Sequence, residues 1–231
     1  MKKTISALVI TGILALNFVN AQDNDTTAFK SSTDSLSYSF GLLIGNNLKM
    51  QNVTDINPQK FLEGMEHGLK SDTTRMTLEN ANTCVQDYFN KQMEQEAKDN
   101  LDKSAKFLEE NKTKEGVVSL ESGLQYKILQ KGEGESPSAE DTVTVNYTGT
   151  LIDGTMFDSS VERGKPVTFP VNRVIPGWTE ALQLMKPGSI WILYIPPYLA
   201  YGDQGAGGVI GPNQALIFQV ELISVTKAAS N

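Results

Sequence analysis

Aromatic side chains with a few polar neighbours are the residues of this chain best suited to chemistry. Six of them fall within 72 residues of the second half: Tyr147, Phe157, Trp178, Tyr198, Tyr201 and Phe218. Asp158 and the hydroxyl of Tyr201 add polar atoms to this set. A concave apolar pocket with a few convergent polar groups is the usual form of a small-ligand site. Core packing is the competing interpretation, because aromatic residues also dominate ordinary cores, and we expect Trp191 to be a core residue.

The composition argues against nucleophilic and metal-dependent chemistry. With 1 His and 1 Cys, the chain can assemble neither a catalytic triad nor a His/Cys zinc site, and we expect Cys84 to be buried. The glycine-rich segments 132–134 and 205–208 do not lead from a strand into a helix, so we interpret them as turns and not as phosphate loops. Glu140-Asp141 is interpreted as solvated charge, because adjacent side chains diverge.

The charge and the first residues point to an exported protein. A net charge of −7 argues against nucleic-acid binding, which needs a basic surface. Residues 1–21 are typical of a signal peptide, with Lys2 and Lys3 before an apolar stretch and a small residue at Ala21. A membrane anchor is the alternative, but the 15 residues of that stretch are fewer than the about 20 that a spanning helix needs. We predict a periplasmic protein without an integral membrane segment, with outer-membrane association and secretion left open.

Helical spacing dominates residues 34–115, which follow a polar leader at 22–33 that we predict to be disordered. Asn57 before Pro58 and Thr77 are typical helix caps, and the helix after Thr77 is predicted to reach about Asn111. Its second half carries 12 charged residues among 22, which favours a solvated stalk. The apolar residues of the two shorter helices and of the first half of the long helix are too few to form an independent core. We therefore predict a homodimer, with packing against the C-terminal domain as the alternative.

Strand patterns and turns dominate residues 116–227. Residues 142–148 alternate apolar and polar side chains, and further strands are predicted near 122–129, 189–195 and 215–225. The strand at 189–195 is apolar on both faces, so both should be covered. Asp153-Gly154 is typical of a hairpin turn. With one helical segment at 177–185, the pattern predicts an α+β fold in which an antiparallel sheet wraps one short helix.

Five motifs in this second half resemble an FKBP-type peptidyl-prolyl isomerase. They are VNYTG at 145–149, DGTMFDSS at 153–160, VIPGW at 174–178, PYLAYG at 197–202 and LIFQVEL at 216–222. The helical half is similar to the dimerising N-terminal region of the secreted bacterial branch, the macrophage infectivity potentiator proteins. The resemblance implies a half-barrel of about five strands around the helix near Trp178, and a proline pocket between them.

The resemblance also assigns roles to residues. The catalytic positions are Asp158, Tyr201, Trp178 and Phe157. Asp158 is implied to be a buried carboxylate, and Trp178 is implied to form the floor of the pocket. The substrate-binding positions are Tyr147, Val167, Val174, Ile175, Ile210 and Phe218. The Tyr201 hydroxyl and the Ile175 amide are implied to donate hydrogen bonds to ligand carbonyls. Two departures, Val167 where Phe is common and glycines where a His-Pro turn is common, should change macrolide affinity and substrate preference more than the reaction.

The implied activity is cis–trans isomerisation of X-Pro bonds in exported polypeptides, with macrolides as inhibitors. It requires neither a metal ion nor a cofactor. A second hypothesis is a dimeric, non-catalytic holdase chaperone that uses the proline pocket only for docking.

Overall fold

The computed structural model describes residues 29–228, which divide into two compact units between Arg75 and Met76. The predicted signal peptide and most of the predicted leader lie outside the described residues. Within residues 29–228, no helix combines the length and hydropathy needed to cross a membrane. The composition changes near residue 115, whereas the second unit begins at Met76 and so includes the long helix.

The first unit contains two helices, α1 (Ser32–Met50) and α2 (Pro58–Leu69). Side-chain caps begin both, since Ser31 accepts a hydrogen bond from the Asp34 amide and Asn57 accepts from two amides of the first turn. No residue of either helix is buried in the single chain. The capping signals therefore form the helices, while their apolar faces remain without a covering surface in one copy.

The second unit begins with α3 (Leu78–Asn111), whose cap is Thr77 as predicted. The buried residues of this helix all lie in its charged second half: Asn100, Ser104 and Asn111. The expectation that this half is a solvated stalk is therefore wrong for one face. Small polar side chains on that face hydrogen-bond to the loop before the last strand and to the start of the sheet.

One antiparallel sheet of seven strands follows, where about five were implied. The strands are β1 (Val117–Ser119), β2 (Gln125–Gln130), β3 (Thr142–Leu151), β4 (Met156–Ser159), β5 (Val167–Pro170), β6 (Ile190–Ile195) and β7 (Leu216–Thr226). They are ordered β1-β2-β6-β7-β3-β4, and β5 pairs with β3 beside β4. The hairpin at Asp153-Gly154 is confirmed, with Gly154 at φ +88°.

A single core lies between the sheet and α4 (Pro176–Leu182). Val143, Leu193 and Leu216 from the sheet and Leu182 from α4 are completely buried. Trp191 belongs to this core, as expected, and is 5% exposed. The opposite face of β6 is half-buried, and Phe107 of α3 packs there with its ring centroid 6.0 Å from that of Tyr194. The α+β class is thus confirmed.

Candidate functional site

A cleft of about 660 Å³ opens on the second unit, a volume typical of small-ligand sites. It is lined by all ten residues that the sequence predicted for the site: Tyr147, Phe157, Asp158, Val167, Val174, Ile175, Trp178, Tyr201, Ile210 and Phe218. Five further residues that the motifs did not single out complete the lining: Phe169, Arg173, Ala206, Gly207 and Val209. Residues from four strands, one helix and two loops therefore meet at one place.

Trp178 is enclosed by other aromatic rings. Its ring centroid lies 5.3 Å from that of Tyr147 and 5.2 Å from that of Phe218, both at near-perpendicular angles of 90° and 87°. Phe169 approaches at 5.6 Å, and Phe157 meets Phe218 edge to face at 5.4 Å. Edge-to-face pairs add about 0.5–1.5 kcal/mol each beyond the area they bury. Trp178 is only 4% exposed, and its indole N–H has no acceptor among the described residues.

Local backbone features place these rings. Pro176 opens α4, which suits its fixed φ, and Trp178 follows in the first turn. Gly149 lies on β3 between two walls, and a Cβ there would come within 2.7 Å of the rings of both Phe157 and Phe218. Any side chain at this position would push the aromatic walls apart, so glycine is needed for close approach.

Three polar groups meet at the edge of the cleft. The Tyr147 hydroxyl donates to Asp158 Oδ2, and Arg163 Nη1 donates to Asp158 Oδ1. Arg163 Nη2 also donates to the Tyr147 hydroxyl at 3.0 Å, which closes the triangle. The Asp158 side chain is 40% exposed, so the expectation of a buried carboxylate is wrong. Asp158 lies on β4, one residue before its end, and its carboxylate reaches Arg163 in the turn that follows.

These contacts change the pKa values of Asp158 and Tyr147. Partial burial alone would raise the pKa of Asp158, but the hydrogen bonds from Tyr147 and Arg163 and the positive charge of Arg163 outweigh it and hold this pKa below its ordinary value. Burial, followed by the hydrogen bond to Asp158, raises the pKa of Tyr147. At neutral pH the site therefore holds a fixed carboxylate, a neutral phenol and a guanidinium.

Two hydrogen-bond donors at the cleft have no acceptor among the described residues. Tyr201 is 40% exposed, and its hydroxyl donates to no protein group within residues 29–228. The backbone N–H of Ile175, between a 3-10 turn and α4, likewise has no acceptor among the described residues. Across the cleft, Ala206 and Ile210 exchange both backbone hydrogen bonds, at 2.8 and 3.0 Å, and this tight loop brings Ile210 into the lining.

Several residues singled out by the sequence lie elsewhere. Tyr198 does not line the cleft, and its hydroxyl donates to the Ser122 carbonyl at 2.9 Å. Cys84 is exposed on α3, so the expectation that it is buried was wrong. Asp141 is only 2% exposed and accepts hydrogen bonds from the Ser138 and Ala228 amides and from Lys227. Its interpretation as solvated charge was also wrong.

Sequence reasoning missed Phe169 and Arg163 at the site, and only Phe169 carries a recognisable signal. Phe169 lies two positions after Val167, and residues at this spacing on a strand share a face. Arg163 follows Asp158 by five residues in a tight turn. A lone arginine in a turn has no periodicity to mark it, and only the fold shows that it returns to the carboxylate.

The arrangement has counterparts among known proteins. The FKBP-type peptidyl-prolyl cis-trans isomerase profile matches residues 133–223, and the profile of the domain amino terminal to such isomerases matches residues 33–128. The chain is 48% identical to the peptidyl-prolyl cis-trans isomerase Mip of Coxiella burnetii, over 98% of this chain and 100% of that protein. It is 47% identical to the outer membrane protein MIP of Legionella longbeachae, over 96% of this chain and 98% of that protein.

A solved structure is similar as well. The crystal structure of FkpA from Escherichia coli superposes with a TM-score of 0.71 at 36% identity, covering 87% of this chain and 100% of that one. The profiles, the near full-length relatives and the fold together show that the chain belongs to the FKBP-type peptidyl-prolyl cis-trans isomerase family.

Proposed function

We propose that the cleft lined by Trp178 receives the proline of an X-Pro bond and that the isomerase accelerates rotation about this bond in exported polypeptides. The observation that carries the proposal is the enclosed indole of Trp178, with aromatic walls around it and polar groups confined to the rim. A proline ring is apolar and compact, and a small aromatic cleft matches it.

Desolvation supplies the chemistry of this proposal. Rotation of an X-Pro imide crosses a barrier of about 18–20 kcal/mol, because twisting destroys the partial double bond. The planar imide is strongly dipolar and well solvated by water, whereas the twisted form has less charge separation. A dry aromatic cleft therefore binds the twisted form better than the planar one. Lowering the barrier by about 4–6 kcal/mol would accelerate the reaction about 10³- to 10⁴-fold.

The rim groups orient the substrate in this scheme. Among the described residues, the Tyr201 hydroxyl and the Ile175 amide have no acceptors. Each can donate to a substrate carbonyl, and each such bond contributes about 0.5–1.5 kcal/mol. The ionised Asp158 carboxylate is paired with Arg163 and accepts a hydrogen bond from the Tyr147 hydroxyl, which holds this wall residue in place. Phe157 and Phe218 form the opposite apolar wall. No step requires a covalent intermediate.

Exposed apolar faces on α1 and α2 support a homodimer. Leu36, Phe40 and Leu43 share one face of α1 and are 58%, 54% and 65% exposed in the single chain. Leu62 on α2 is 54% exposed. Apolar groups at this spacing normally face a covering surface, and a second copy supplies one.

An envelope location fits the sequence. The predicted signal peptide at residues 1–21 supports export to the periplasm, and one relative is named an outer membrane protein. Macrolide inhibitors would fit the same cleft, since their bulk suits its volume and aromatic walls. Val167, smaller than the phenylalanine common in the family, leaves one wall incomplete for such ligands.

Cis–trans kinetics on a proline tetrapeptide test the proposed site. We expect Tyr201→Phe to lower kcat/KM about 3- to 10-fold through one lost hydrogen bond, and Asp158→Ala to lower it further by freeing Tyr147 and Arg163. Tyr198→Phe is the matched control, because its hydroxyl lies outside the cleft, and it should keep the wild-type rate. Wild-type rates in all three variants would place the reaction elsewhere.

The holdase hypothesis is not favoured, since the family is one of isomerases. An aggregation assay with a cleft-deficient variant separates the two activities. Full protection by Asp158→Ala together with lost catalysis would assign chaperoning to another surface.

A further inference from the structure

The second half of α3 is bound to the loop at residues 211–215. Asn100 Nδ2 donates to the Pro212 carbonyl at 2.9 Å. The Ser104 hydroxyl donates to the Asn213 carbonyl at 3.0 Å and accepts from the Ala215 amide at 2.8 Å. Two helix side chains thus satisfy three backbone groups of one loop. We call these contacts the helix clamp.

The helix clamp is tightly packed. Asn100 is 8% exposed and Ser104 1% exposed, although their half of the helix is otherwise highly charged. A Cβ on Gly211 would lie 2.7 Å from Glu96 Oε1 and 3.2 Å from Asn100 Nδ2, so the loop approaches the helix as closely as its backbone allows. From the loop side, Asn213 Nδ2 donates to the Ala97 carbonyl at 3.3 Å.

The clamped loop continues directly into two walls of the cleft. Ile210 precedes it and is held by its paired hydrogen bonds with Ala206. β7, which carries Phe218, follows it. The Asn213 amide also donates to the Gly202 carbonyl at 2.7 Å, and Gly202 is the residue after Tyr201. One short loop therefore connects the helix to both edges of the opening.

The side chains of Asn100 and Ser104 contribute to binding the loop and not to forming the helix. Asn and Ser are poorer helix formers than Ala, because their side chains compete for backbone hydrogen bonds. Here both side chains turn outward and bond to the loop. Burying a loop backbone against a helix without such partners would leave its polar groups unsatisfied.

We propose that Asn100 and Ser104 are positioning residues for isomerisation: by fixing the loop at 211–215, α3 sets the placement of Ile210 and Tyr201 in the cleft. This inference rests on the proposed assignment of the cleft as the proline site. It makes the long helix part of the machinery that determines how well the cleft binds its substrate.

Hydrogen–deuterium exchange on the full chain tests the clamp directly. In Ser104→Ala, we expect the amides of Ala206, Ile210, Asn213 and Ala215 to exchange about 10-fold faster, because the loop opens more readily. Amides of β2 and β6 should be unchanged. The matched control is Asn90→Ala, since Asn90 is an exposed residue of the same helix.

Kinetics provide the second measurement. Loosened walls weaken substrate binding more than they alter rotation, so Asn100→Ala and Ser104→Ala should raise KM for a proline peptide about 3- to 10-fold while kcat changes less than about 2-fold. A merely structural role would lower the amount of folded enzyme, which reduces the apparent kcat and leaves KM unchanged. Asn90→Ala should match the wild type in both parameters.

A milder variant covers the case in which Ser104→Ala fails to fold. Asn213→Gly removes only the side-chain bond to Ala97 and suits the positive φ of 54° at this position. It should raise exchange at Ile210 with the same preference for KM over kcat.

Unchanged exchange at Ile210 in the folded variants would overturn the clamp. Faster exchange with unchanged KM would overturn its role in the reaction. Failure of the proposed site gives a different result, since Tyr201→Phe would then keep wild-type kinetics while the exchange effect of Ser104→Ala persisted.

Discussion

The two units of this chain contain similar helical signals but differ in what those signals achieve. In residues 29–75, caps and apolar spacing form α1 and α2, and every residue of both helices remains accessible in the single chain. In residues 76–228, the sheet and α4 bury a continuous core in which Val143, Leu193 and Leu216 have no exposure. The difference teaches that local helix signals specify helices, whereas stability requires a surface to bury against. The first unit finds that surface, we propose, in a second copy.

The strongest test of this contrast is a charge on the α1 face. Leu43→Asp removes about 1.5–3 kcal/mol of leucine burial from each of the two copies. It also places two carboxylates in the interface, where they lose their solvation. The dimer should therefore dissociate at least about 100-fold more readily. Light scattering over a concentration series measures this. Asn46→Asp, at an exposed polar position of α1, should leave the dimer intact. A monomeric wild type would refute the contrast.

A cavity in the core of the second unit should lower the free energy of unfolding by the same amount at every protein concentration. Leu193→Ala removes a fully buried side chain and should lower the free energy of unfolding by about 2–5 kcal/mol. The loss, measured by urea unfolding, should be the same at low and high protein concentration. Leu129→Ala, on a β2 side chain that is 50% exposed, should cost far less. A strong concentration dependence of the Leu193→Ala loss would mean that the second unit also depends on association.

Acidification should weaken the second unit selectively through Asp141. Hydrogen bonds from the Ser138 and Ala228 amides, and then Lys227, hold the pKa of Asp141 well below its ordinary value of about 3.9. A lowered folded-state pKa stabilises the protein above about pH 3.9, and this stabilisation declines as the pH falls further. Asp141→Asn should therefore be less stable than the wild type at pH 7, with a gap that narrows below about pH 4 in urea titrations.

The neighbouring acid provides the control for this pH effect. Glu140→Gln changes an exposed residue and should follow the wild type at every pH. A gap between Asp141→Asn and the wild type that stayed constant from pH 7 to pH 2 would show that the carboxylate charge is irrelevant.

The smallest expected effect concerns the incomplete wall at Val167. Val167→Phe adds an aromatic ring to the cleft and should tighten macrolide binding about 2- to 10-fold, in line with the worth of an added aromatic contact. Calorimetry measures the affinity. Met156→Phe adds the same ring outside the lining and should have no effect, while equal gains in both variants would indicate nonspecific apolar binding.

Local signals in the sequence predicted the helices well. Thr77 and Asn57 marked two helix starts, because caps act within one turn. α3 ends at Asn111 as expected, since its helical spacing continues with no Gly or Pro before Gly116. The strands β1, β4 and β5, of 3 and 4 residues, are too short for alternation to reveal. They are held by pairing with longer neighbours, β1 with β2 and both β4 and β5 with β3.

The site was predicted in membership but less well in environment. The resemblance supplied ten of the fifteen residues that line the cleft, eight of them within the five motifs, and Val167 and Ile210 from the segments between them. The exposure of Asp158 and its bond to Arg163 depend on how a turn returns to the strand. Asn100 and Ser104 gave no signal either, because small polar residues on a charged helix look solvated until the loop they bind is in place.

α3 reaches well beyond the loop that it grips. It has 34 residues, a length of about 50 Å at about 1.5 Å per residue. A tilt of about 5° at its anchored end would swing the opposite end through about 4 Å over that length. If the helix clamp positions the cleft as we propose, a displacement of the far end of α3 reaches the cleft through the loop at residues 211–215.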